Sequence, residues 1–69
     1  MTKTINIQGR PVSIDFEFME INESHGSNWA EWRVEGFGTD GKQYQGTCQA
    51  DQDEPEHDHD TEVTNIQEI

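Results

Sequence analysis

The chain has 69 residues, with fifteen Asp or Glu against four Lys or Arg and a formal net charge of -11, so it is one small, strongly acidic domain. That balance excludes direct binding of DNA, RNA or an anionic membrane at physiological salt, because phosphates are neutralised by basic side chains that are scarce here. Cys48 is the only cysteine, which excludes an internal disulfide; with neither a signal peptide nor a bilayer-length apolar run in the sequence, a cytoplasmic location is expected.

A mean hydropathy of -1.03 suits a disordered chain, yet two Trp, one Tyr, three Phe and clustered Ile and Val argue for local order. Charge is equally uneven. Residues 1–50 hold seven acids against Lys3, Arg10, Arg33 and Lys42, whereas residues 51–69 hold eight acids and no base. The expected organisation is a β-sheet core of two hairpins over 1–50, an acidic loop over 51–61 and a C-terminal strand over 62–69.

In chain order, Thr4 to Ile7 and Val12 to Phe18 alternate apolar with polar residues, which predicts two strands with Ile5, Ile7, Val12, Ile14, Phe16 and Phe18 on one face. A two-residue type II′ turn at Gly9-Arg10 would join them, setting Ile7 opposite Val12 and Ile5 opposite Ile14. "NESHGSN", residues 22–28, reads as a polar connection. The next hairpin flanks "GTDGK". A two-residue Asp40-Gly41 turn would put Trp32 and Val34 on the face of Gln43, Gln45, Thr47 and Gln49. A three-residue Thr39-Asp40-Gly41 loop with a bulge at Gly41 places them beside Tyr44, Cys48 and Ala50 instead, and is the expectation. "TEVTNIQEI" ends the chain; its Thr, Val and Ile content suits a strand containing a bulge.

No amphipathic helix of useful length is predicted, so the fold class is mainly β. The expectation is a small antiparallel sheet of four to five strands, curled into a minimal barrel or sandwich, with the acidic loop before the last strand. A closed monomer and a face-to-face homodimer would each hide the apolar face.

The stretch "ADQDEPEHDHDTEV", residues 50–63, carries seven acids and two histidines. An EF-hand-type calcium loop starting at Asp51 fails, since Pro55 stands at the third ligand position and Glu56 where the turn needs glycine. His57 and His59 remain candidate metal ligands, but one His-x-His pair lacks the four fixed ligands of a structural zinc site, and charge runs are usually solvated. Catalysis is not expected. His25, His57 and His59 as bases, Cys48 as nucleophile, and Asp15 with Glu17 as a carboxylate pair follow no ordering motif, and Cys48 falls on the inward face.

The polar face is more informative, because Met19, Ile21, Trp29 and Phe37 share it with Asp15, Glu17, Glu31 and Glu35. Aromatic anchors among carboxylates predict an interface for a basic protein, with acids that steer and orient it. The candidate partner-binding set is Asp15, Glu17, Trp29, Glu31, Glu35 and Phe37, joined by Asp53, Glu54, Glu56, Asp58 and Asp60 of the loop. In size and acidity the chain resembles small DNA-mimicking inhibitors, including phage-encoded ones that block nucleic-acid enzymes. The resemblance is compositional, and it implies carboxylates offered to Lys and Arg that otherwise hold phosphates. A non-catalytic acidic binding module without a cofactor is therefore expected, the alternatives being a divalent-metal-responsive protein using His57 and His59, and a structural subunit of an oligomer.

Overall fold

Alternation of apolar and polar residues extends the chain into five strands; short connections make each of the first four the antiparallel neighbour of the next, and the long acidic segment 52–63 brings the fifth back along the fourth. The computed structural model describes residues 1–69: β1 (Thr2–Ile7), β2 (Arg10–Ser24), β3 (Trp29–Gly38), β4 (Gln43–Asp51) and β5 (Thr64–Glu68), in the spatial order β1-β2-β3-β4-β5. There is no helix. The single sheet curls into a half-barrel, open between β1 and β5.

The first hairpin differs from the expected register. Ile7 pairs with Arg10, Ile5 with Val12 and Lys3 with Ile14, so the turn residues are Gln8 and Gly9, whose φ values of 51° and 81° define a type I′ turn. Proline explains the shift. A Gly9-Arg10 turn would make Gln8 and Pro11 the hydrogen-bonded pair closing the loop, and Pro11 has no N–H to give. Closing the turn one residue earlier puts Pro11 in a position that makes no such demand, and because the register moves by two residues every side chain keeps its face.

The second hairpin has the three-residue loop. The Gly38 amide donates to Lys42 O at 2.8 Å, the Gly41 amide to Gly38 O at 3.0 Å, and Gly41 lies at φ 82° as the bulge requires. Trp32 then stands opposite Cys48, Ala30 opposite Ala50 and Gly36 opposite Tyr44, all on the apolar face. The Tyr44 hydroxyl donates to Asp40 across this loop, and the Lys42 amide donates to the same carboxylate at 3.0 Å. The Tyr44 bond holds the Asp40 carboxyl below its usual range and, with desolvation, pushes the Tyr44 phenol up to about 12.

β5 pairs with β4 through a bulge, as expected of the last stretch: Gln45 faces Gln67 and Thr47 faces Thr64, with Asn65 at φ 53° between them. Val12, Ile14, Phe16, Val34, Tyr44 and Cys48 form the buried core cluster, with Ile5, Ile7, Phe18, Trp32, Val63 and Ile66 packed around it.

Two glycines on this inner row mark where the sheet bends. A β-carbon on Gly36 would overlap the Asp15 carbonyl, and one on Gly46 would lie 2.7 Å from Val63 Cγ1 and 2.9 Å from Thr64 O. Backbone and side chains from the neighbouring strands thus occupy the space that any other residue would need. Gly36→Ala is therefore expected to lower the unfolding free energy by about 2–3 kcal/mol in urea titration, and a loss within about 0.5 kcal/mol would show that β2 and β3 separate freely.

The Tyr44 bond gives a second expectation. Above pH 10 the unfolded phenol releases its proton while the folded one holds it to about 12, so stability is intact below 10 and falls as pH rises through that window. Urea midpoints measured from pH 9 upward should fall more steeply for the natural chain than for Tyr44→Phe; parallel curves would refute the linkage.

Candidate partner-binding surface

The outer face of β2 and β3 carries the carboxylates because alternation leaves it no apolar partner. Asp15 stands opposite Phe37 and Glu17 opposite Glu35, and together with Met19, Gly36 and Gln43 they line a shallow depression of about 330 Å³. Phe37 is 65 % exposed, the most exposed large apolar side chain in the protein. Like charges directly opposite, as in Glu17 and Glu35, are unfavourable. Arg33 relieves this: its guanidinium pairs with Glu35 and, at 2.8 Å, with Glu20, while Gln43 Nε2 donates to Glu35 at 3.4 Å. The N-terminal ammonium lies 3.5 Å from Asp15 and donates to Phe16 O at 3.0 Å. These pairs, part-buried at Arg33 and Glu35, leave Glu17 without a salt-bridge partner.

Ile21 was expected on this face and is not there. Register shifts between Phe18 and Glu20 and again between Ile21 and Glu23 pair Ile21 with Trp32 on the inner face and turn Glu20 and Glu23 outward, opposite Arg33 and Glu31. The reason is visible in "FEFMEINE". Strict alternation through Met19 would drive Glu20 into the apolar face, and a bulge avoids burying that carboxylate. Glu20 and Glu23 therefore belong to the acidic face that the alternation pattern alone assigns to Asp15, Glu17, Glu31 and Glu35.

Trp29 and Glu31 sit at the other end of β3. Eight residues of strand, about 27 Å, separate Trp29 from Phe37, so the expected surface divides into two regions. Trp29 is half-buried beside the acidic loop, where its carbonyl accepts from Gln52 Nε2 at 3.2 Å and from the His25 amide at 2.9 Å.

The acidic loop is folded back on β4 rather than freely solvated. Asp51 Oδ1 accepts from the Asp53 and Glu54 amides, both at 2.8 Å, the Asp51 amide donates to Asp58 O, and the Asp60 amide donates to Gln49 O. Trp32 Nε1 reaches the Asp51 carbonyl at 3.2 Å. Asp53, Glu54, Glu56, Asp58 and Asp60 remain exposed around this frame. His59 bridges to Ala50 and lays its ring against Phe18, with centroids 5.6 Å apart, while Phe18 meets Trp32 edge-on at 5.7 Å. His57 is exposed on the turn, and no group of three or more His, Cys, Asp or Glu side chains converges where it could hold a metal ion. Cys48 is buried; desolvation first, then the Asp60 charge, pushes its thiol upward and away from reactive thiolate. His25 is exposed in the β2–β3 turn, away from Cys48 and the core.

No protein-family model, no curated protein and no solved structure matches this chain.

The tethering of the loop can be measured. His59→Ala removes the ring from Phe18 and is expected to cost roughly 1 kcal/mol locally, speeding amide exchange at Asp51 and Asp60 about fivefold. Unchanged exchange at both would show that backbone pairing alone holds the loop.

Proposed function

We propose that the chain is a non-catalytic binding module that presents carboxylates to a basic protein surface of the kind that otherwise holds nucleic-acid phosphates. The reading rests on one observation, the exposed Phe37 ringed by Asp15, Glu17 and Glu35 on a chain of net charge -11. An aromatic side chain in water costs free energy that burial against a partner recovers, and the surrounding carboxylates select a partner rich in Lys and Arg. Carboxylates favour encounter over a range that salt shortens to about 8 Å at physiological strength, so association should be fast and salt-sensitive.

Capture on the immobilised chain from cell lysate, at low and at high salt, tests this. A basic protein should be retained at low salt, released at high salt and displaced by added duplex DNA. Phe37→Ala should weaken the complex by about 2 kcal/mol, roughly thirtyfold. Retention of nothing basic at low salt, or a partner indifferent to both Phe37→Ala and Glu17→Gln, would remove the reading.

A further inference from the structure

The sheet has one long free edge whose chemistry is specific. β1 covers β2 from Arg10 to Phe16, where the last rung is the reciprocal pair between Met1 and Phe16, and from Glu17 to Ser24 β2 is paired on the β3 side only. The alternation that aims the backbone groups of Ile14 and Phe16 at β1 aims those of Phe18 past its end. Every residue of this stretch but Phe18 is exposed, with Met19 at 45 % and Ile21 at 39 %. The two bulges set its side chains in two rows: Glu17, Glu20 and Glu23 outward, Phe18 and Ile21 inward beside Trp32.

Resting on the binding-module reading, we infer that this edge of β2, Glu17 to Ser24, is a docking site for an extended basic segment of the partner protein, which adds to the sheet as a strand antiparallel to β2 and collinear with β1. An exposed edge offers main-chain hydrogen bonds to any extended chain; the flanking side chains decide which one is accepted. A segment alternating Lys or Arg with apolar residues places its cations along the glutamate row and its apolar side chains against Phe18 and Ile21. A second copy of this chain is refused, since pairing β2 with β2 would set glutamates beside glutamates. The other free edges lack this complementarity: β1 flanks its edge with Thr2, Thr4 and Asn6, and β5 with Thr64, Asn65 and Gln67.

The test uses the full chain and an end-blocked synthetic peptide alternating lysine and valine, with two analogues N-methylated on opposite alternate residues. A docked strand turns only one set of its N–H groups to β2. One analogue should therefore bind about tenfold more weakly than the parent and the other nearly as well, and the parent should slow amide exchange at Phe18. A Glu17→Lys, Glu23→Lys variant should prefer a peptide alternating glutamate and valine. Equal binding of the two analogues, or slowed exchange on β1 or β5 in place of Phe18, overturns the edge site. With salt-sensitive capture through Phe37 intact, either result leaves the binding-module reading standing. Absence of any peptide binding at low salt also overturns the edge site, and the capture experiment then decides the wider reading by itself.

Discussion

An apolar row on one face of a sheet must be covered, and this chain has no second layer to cover it. The row therefore shelters itself, which requires the sheet to bend until β1 and β5 approach the same interior. Bending brings backbones closer than side chains allow, and it is at Gly36 and Gly46 that the missing β-carbons are replaced by Asp15, Val63 and Thr64. Only eight apolar residues end up fully buried, and most surrounding ones are half-covered. Small size thus produces both the curl and the incomplete closure.

The same geometry distributes charge. Lys3 and Arg10 pair with Ile14 and Ile7, so they belong to the inner face of the sheet; Lys42 sits at the β3–β4 loop, 3.7 Å from Glu68. On the outer face Arg33 is occupied by Glu20 and Glu35, and the N-terminal ammonium lies against Asp15. The outer face of β2 and β3 consequently leaves Glu17, Glu23 and Glu31 without a salt-bridge partner, and its only large exposed ring is Phe37. That segregation, more than the total of -11, makes the surface directional.

Most of the architecture was legible because period two is a strong signal when one face is apolar. The inward set and the three-residue loop at Gly41 follow from it, whereas the bulged last strand follows from the Thr, Val and Ile content of residues 61–69. What escaped has local physical causes. A turn chosen at Gly9-Arg10 for its glycine overlooks the N–H that Pro11 lacks, and the turn lies at Gln8-Gly9. Ile21 was assigned by counting parity past Met19, although the same count would bury Glu20; weighing that carboxylate reveals the bulge. The acidic run was read from composition, which carries no information about Asp51 capping its own turn or about His59 meeting Phe18.

The two acidic regions are built differently, and the difference bears on what each can do. Around Phe37 the carboxylates project from paired strands, so their spacing is set by the sheet and little entropy is lost when a partner fixes them. In the loop, Asp53, Glu54, Glu56, Asp58 and Asp60 hang on a frame of a few backbone bonds together with Trp32 and His59. These charges can attract from a distance but must be ordered to make close contacts. On the binding reading proposed above, attraction from the loop and docking on the sheet would be separable, the loop acting on the rate of encounter and the rigid face and free edge of β2 on what is held.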